Sequence, residues 1–201
     1  MPRSLPLTAL AKASLTAALT LLLAACQPVA TAEEPPEIIT RWDHRPEATE
    51  WNAAMVEALL DNGQAMLSTT PRDADDFCPG FEEADAEGRA AFWVAFFSGL
   101  ARYESGWRPE AAGAGGRYQG LLQILPATAR FNDCDIDNPR GLYDGATNLA
   151  CATRIAARAV GRDNVIATGR GGVASDWPPL RNPRKRAEIA TFTRALPVCQ
   201  G

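Results

Sequence analysis

Ala101–Ala129 reads ARYESGWRPEAAGAGGRYQGLLQILPATA. An apolar helical run ends beside one carboxylate, Glu104. A glycine-rich crossing follows, and then a second short apolar segment that opens into Pro126-Ala-Thr-Ala. Pro109 is expected to end the helix, because the residue before a proline is driven out of αR geometry. Ala111 to Gly120 contains four glycines, which marks a loop where backbone can approach a ligand closely. Pro126 suits the first turn of a short helix.

Upstream, Asp85 to about Tyr103 is the strongest helix in the chain. Asp85 is placed to cap it, and Glu87 in the first turn favours the dipole. Phe92, Phe96, Gly99 and Tyr103 line one face, while Trp93, Phe97 and Leu100 widen it. A helix this apolar nearly all round belongs at the centre of a fold. Before it, Trp51, Met55, Leu59, Leu60 and Met66 recur at helical spacing from about Glu50 and stop near Gly63. Downstream, Asp144 can cap a helix through Arg158, and Val165-Ile-Ala starts a further short one. Gly169 to Pro183 is a loop around Trp177, and a basic amphipathic helix runs from Arg184 to about Leu196. Alternating strand patterns are almost absent. The fold class is therefore mainly α: one domain with long loops and at most a minimal β-hairpin.

Residues 1–25 read as an export signal, with Arg3 and Lys12 as the only charges and an apolar run from Leu15 to Ala25. Leu23-Ala24-Ala25-Cys26 resembles a bacterial lipoprotein box, with Cys26 as the lipidated residue; an ordinary signal cut after Ala-Ala is the alternative. Lipidation would anchor the chain to a membrane. Gln27, rather than aspartate, after Cys26 is consistent with outer-membrane sorting, facing the periplasm. Residues 26–48 are rich in Pro, Glu and small residues and read as a tether. The domain is then 49–201.

Removing Arg3 and Lys12 with the signal leaves 18 basic against 24 acidic residues, a net charge of −6. That argues against a nucleic-acid partner. The charge is uneven: Asp73 to Glu87 holds seven acids, and Arg154 to Arg194 holds nine cations and three acids. Both stretches read as solvated faces. Besides Cys26 there are Cys78, Cys134, Cys151 and Cys199. In an exported protein they read as two disulfides, for which three pairings are possible. Cys134–Cys151 as a local staple and Cys78–Cys199 as a clasp between the domain's ends is the favoured pairing. No metal or cofactor is expected, since CxxC spacing is absent and the only histidine, His44, lies in the tether.

A carboxyl at a helix C-terminus, beside an aromatic wall that excludes water, has its ionised form disfavoured and its pKa raised. Kept protonated near neutral pH, it can give its proton to a leaving group. Tyr103, Trp107 and Tyr118 supply apolar surface, and Gln123 supplies an amide. That inventory suits a sugar. The competing reading makes Glu104 a surface helix residue and Tyr103 and Trp107 core.

Glu104-Ser105, Trp107, Pro109, Ala111, then Gly120-Leu-Leu-Gln123, Pro126 and Thr128-Ala129 resemble the soluble lytic transglycosylases of goose-type-lysozyme-like fold. Their pattern is Glu-Ser, Pro and Ala, a Gly-Leu-Met-Gln turn, and Pro-x-Thr-Ala. Asp144 and Asn148-Leu149 resemble the family's downstream segment, so the likeness spans about Phe92 to Val160. It implies a lysozyme-like domain acting on peptidoglycan glycan strands, with Glu104 as the single catalytic acid and base and a 1,6-anhydro product. It maps Gln123 onto a sugar-holding residue and Ser105 onto a helix-end residue that supports Glu104. Tyr118 and Trp177 complete the candidate substrate-binding set. The glycine-rich loop is one residue longer than the family's spacing, Gly113 stands nearest its serine, and Leu122 replaces methionine. The Ala-Tyr-Asn-Ala-Gly motif is absent. Trp177 either fills part of the role of its tyrosine or is a loop packing anchor. Two further readings stay open: a hydrolytic muramidase, for which Asp133, Asp135, Asp137 and Asp144 are the available second acids, and a non-catalytic glycan-binding lipoprotein.

Overall fold

The computed structural model describes residues 35–200. The export signal, Cys26 and Gln27 lie outside them. Seven helices surround one core: α1 (Ala48–Asn62), α2 (Gln64–Ser68), α3 (Ala74–Phe77), α4 (Ala86–Glu104), α5 (Pro126–Phe131), α6 (Gly145–Asp163) and α7 (Pro183–Arg194). The only sheet among the described residues is the hairpin of β1 (Ala112–Gly113) and β2 (Tyr118–Gln119). The mainly α lysozyme-like expectation is met.

The central helix is α4. Asp85 Oδ1 accepts from Gly88 N at 2.8 Å, which satisfies one of the free N–H groups at its start. Phe92, Trp93, Phe96, Phe97 and Leu100 have no exposed surface. Phe77 meets Phe96 edge-on at 5.6 Å, and Phe81 meets Phe92 at 5.3 Å. Trp93 Nε1 donates to Met66 O at 2.9 Å, so even the indole polar atom is paired inside. On the opposite side α7 packs closely over Gly99, where an added Cβ would lie 3.3 Å from Ile189 Cγ1.

The cysteines pair as Cys78–Cys199 and Cys134–Cys151. The first ties the loop before α4 to the chain end. The second ties the loop after α5 to α6.

Four local expectations are corrected. Residues 40–47, placed in the tether by composition, pack on the domain. Trp42 is fully buried against Trp51, and its Nε1 donates to Asn52 Oδ1 at 2.7 Å. Arg41 N donates to Ser98 Oγ on α4 at 2.9 Å. A single tryptophan in a proline-rich stretch was enough to draw the segment in. Leu60 is half exposed and does not belong to the core face of α1. Val165-Ile-Ala does not start a helix: Ile166 O accepts from Val173 N at 2.8 Å, and the buried Asp73 carboxylate accepts from the N–H groups of Ile166 and Ala167 and from the Thr168 hydroxyl, at 2.5, 3.0 and 2.8 Å. Finally, α4 ends before Pro109, for a reason that bears on the site.

Candidate active site

Glu104 is the last residue of α4. Beyond it Gly106 and Trp107 both take left-handed φ values, +63° and +61°, which turns the chain sharply away from the helix axis. Ser105 N and Gly106 N both return to Ala101 O, at 3.0 and 3.1 Å. For tryptophan this backbone is costly. It is held by Trp107 Nε1 donating to Ser98 O at 2.8 Å and by the His44 ring at 4.9 Å. Ser105 is buried, accepts from Arg108 N at 3.2 Å, and faces the turn instead of the cleft. Its role is to shape the helix end that presents Glu104, so it is withdrawn from the substrate-contacting set.

The opposite wall is the hairpin and the Gly120–Gln123 turn. Gly120 has φ +78°, and a Cβ there would lie 2.0 Å from Leu142 O, so only glycine fits. Asn148 on α6 is fully buried and pins the turn with three bonds. Its Oδ1 accepts from Leu122 N, and its Nδ2 donates to Gln119 O and Leu142 O, all at 2.9 Å. The likeness had marked Asn148 only as part of a segment; its satisfied amide is what assigns its task. Gln123 Nε2 donates to Ala111 O at 3.1 Å and Gly120 O at 2.9 Å. Two carbonyls claim both amide hydrogens, so Gln123 offers substrate its Oε1, an acceptor. That oxygen would lie 2.2 Å from a Cβ on Gly113, so a side chain there would displace the Gln123 amide.

Glu104, Tyr118, Gln123, Asp176, Trp177 and Pro178 together line a cleft of about 350 Å³. Glu104 Oε1 is buried and accepts no hydrogen bond among the described residues. Burial pushes its carboxyl up to about 7, with the Lys185 ammonium pulling the other way. Lys185 is held near this wall. Its Nζ lies 5.0 Å from the Tyr103 ring centroid, and one turn on, Glu188 gathers the Tyr103 hydroxyl, Arg102 and Arg41. Nothing in the sequence pattern marked Lys185, because α7 reaches the end of α4 only through packing.

Trp177 is 3% exposed, donates Nε1 to Leu122 O at 2.8 Å, and meets Phe97 edge-on at 5.8 Å. It forms the floor of the cleft and holds the turn that carries Gln123. Trp177→Phe leaves that carbonyl without its donor and is expected to lower stability by about 1–3 kcal/mol in urea unfolding. An unchanged midpoint would show that the indole bond contributes nothing.

The acids held open for hydrolysis are elsewhere. Asp144 caps α6 through Thr147 N and pairs with Arg140; Asp133 pairs with Arg158; Asp135 accepts from Asp137 N. The second acid that does line the cleft is Asp176, exposed and accepting from Ser175 Oγ at 2.7 Å. The sequence reading passed over it beside the larger Trp177.

Residues 83–165 match the model of the transglycosylase SLT domain. The chain carries an SLT domain. Among solved structures, a Glu-to-Gln variant of Bd0314 DslA is similar with a TM-score of 0.74 and 26% identity, over 81% of this chain and 98% of that one. The wild-type form 2 of Bd0314 DslA gives 0.72 at 26%, over the same shares. A second Glu-to-Gln variant gives 0.72 at 27%. No curated protein sequence matches. At family level this SLT domain makes the chain a lytic transglycosylase, an enzyme acting on peptidoglycan. The SLT segment supplies Glu104, Tyr118 and Gln123. Asp176, Trp177 and Lys185 lie beyond the matched residues, so that wall is where this chain can differ from its relatives.

The SLT domain bears a cost for its acid. Glu104 is raised from 4.5 to about 7, so the proton binds the folded state more tightly than the unfolded chain. Stability is greatest below about 4.5 and is lost as pH rises through about 7, by on the order of 3 kcal/mol. Glu104→Gln removes the ionisation. Its thermal midpoint should match the wild type near pH 4 and exceed it near pH 8; equal midpoints at both would mean that the carboxyl is solvated.

Proposed function

We propose that the enzyme cleaves the β-1,4 bond between N-acetylmuramic acid and N-acetylglucosamine and closes a 1,6-anhydro ring on the muramic acid, with Glu104 as the sole general acid and base. The observation that supports this most is a carboxyl bordering the cleft whose buried Oε1 has no partner among the described residues, and whose ionisation that burial disfavours. The Glu104 proton goes to the glycosidic oxygen as the C1–O4 bond breaks. The substrate's acetamide oxygen bonds to C1 in its place. Carboxylate Glu104 then takes the proton from the C6 hydroxyl, and O6 displaces the acetamide oxygen from C1. The acid is restored and no water is consumed. Lys185 helps here, since a nearby cation stabilises the carboxylate between the two steps. Gln123 Oε1 is placed to accept from a sugar N–H or hydroxyl, and Tyr118, 39% exposed, offers a flat face.

A second reading, hydrolysis on the same scaffold, is favoured by one observation: Asp176 lines the same cleft and could hold a water. Mass spectrometry of digested sacculi separates them. Anhydro-muropeptides are expected. Reducing-end products alone would replace the transglycosylase by a hydrolase, and no products in either form would leave a glycan-binding protein.

Lipidation at Cys26, and a place on the outer membrane facing the periplasm, belong to the same proposal. They are supported by the Leu23–Cys26 box and Gln27, and the two disulfides suit an oxidising compartment. Among the described residues no helix is long and apolar enough to cross a membrane.

A further inference from the structure

The catalytic cleft does not end at Asp176. That residue also lines a second cavity of about 400 Å³, shared with Phe131, Asn132, Arg158 and Arg162. Asn132 and Arg158 in turn line a third, of about 270 Å³, which includes Arg154. Each cavity thus shares lining residues with the next, and α6 lines the second and third. Arg154, Arg158 and Arg162 recur every fourth residue on that helix, so they form one stripe rising about 6 Å per step.

The stripe runs against the charge of the chain, which is net acidic. Its internal pairings compete unequally with a ligand. Arg158 meets Asp133 at 3.4 Å with both side chains more than half exposed, whereas Arg162, 61% exposed, is held more firmly, donating Nε and Nη2 to Asp163 at 2.7 Å each. Arg154 makes no ion pair among the described residues. At the rim Phe131 is 78% exposed, the most exposed large apolar side chain described, with the Arg158 guanidinium 5.7 Å from its ring centroid. Such a groove suits an extended ligand with carboxylates and some apolar side chains.

We propose that this groove binds the peptide stem of the strand whose sugars occupy the cleft. The inference rests on the reading of the cleft as a peptidoglycan site. Stems hang from the muramic acid and carry free carboxylates, so a groove adjoining the cleft and lined by guanidinium groups matches them in place and in charge. It makes the enzyme selective for peptide-bearing over stripped glycan.

The test measures binding in the Glu104→Gln background, where cleavage does not interfere. The ligands are uncross-linked strands and the same strands after amidase removal of the stems. The unaltered groove should bind stem-bearing strands tighter. Arg154→Gln, Arg158→Gln and Arg162→Gln combined should cancel about tenfold of that preference while leaving affinity for stripped glycan unchanged. Arg158 also donates to Phe131 O and Asn132 Oδ1, so Phe131→Ala, which removes only exposed surface, serves as the second variant and should cancel part of it. Equal binding of the two ligands, or equal loss on both in both variants, overturns the proposal. So does a preference left intact while binding to phosphatidylglycerol vesicles is lost, which would assign the stripe to an anionic lipid surface. Stem-selective binding by a wild type that cleaves nothing would sink the enzymatic reading and leave this one standing.

Discussion

Glu104→Gln is expected to lose about 10²–10⁴-fold in turnover on sacculi, the range that a general acid in this position contributes. The amide keeps the volume and the cleft but has no proton to give and no carboxylate with which to take one back. Both steps fail together. The wild type should carry a matching pH signature. The acid must enter the reaction protonated, so kcat/KM should fall as pH rises through about 7, the value to which burial pushes Glu104. Lys185→Met removes the cation that opposes that push and should move the fall to higher pH. Turnover in Glu104→Gln equal to wild type would remove Glu104 from the chemistry, whatever the fold.

Asn148→Ala should have the largest effect on the scaffold. It strips partners from Leu122 N, Gln119 O and Leu142 O inside the protein, each of which costs about 1–3 kcal/mol when left unsatisfied. A loss of several kcal/mol is expected in urea unfolding, partly offset if water enters the space. The turn carrying Gln123 loosens with it, so KM should rise even at temperatures where the variant is folded. A stable variant with unchanged KM would mean that the turn is held by Trp177 and its own backbone alone.

Both results follow from one division of labour. The residues that carry the chemistry sit on short, irregular segments: a helix end with two left-handed residues, a two-residue-per-strand hairpin, and a tight glycine turn. Side chains from outside each segment, or behind it, hold it in place. Ser105 and Trp107 shape the helix end, Asn148 and Trp177 the turn, and Glu188 anchors α7 against Tyr103. The family pattern records the first group and part of the second. The wall built from Asp176, Trp177 and Lys185 is outside it, which is why product chemistry is best read there.

What the sequence by itself determined is what depends on near neighbours in the chain. The aromatic run at Phe92–Phe97 read as a buried helix, Asp85 and Asp144 were visible caps, and Glu104 at the end of that run became the candidate acid once the family resemblance was added. The even cysteine count indicated two disulfides and left three pairings, of which the favoured one is the one found, and the ordered motifs from Glu104 to Ala129 pointed to the domain. What only the tertiary structure decided involves groups far apart in sequence. Asp73 accepts from the N–H groups of Ile166 and Ala167 and from the Thr168 hydroxyl more than ninety residues away, in a segment that stays outside any helix. Trp42 draws a proline-rich stretch into the core. Ser105 turns inward, and Asp176, not any acid of the 133–144 loop, reaches the cleft. The α6 arginines, a solvated face in the sequence, line two cavities, one of which shares Asp176 with the Glu104 cleft, only once α5 and the Trp177 loop pack around them. Burial and its effect on a carboxyl belong to the packed state, so the chain could point to Glu104 and to the direction of its shift, while the extent, up to about 7, came only from the fold.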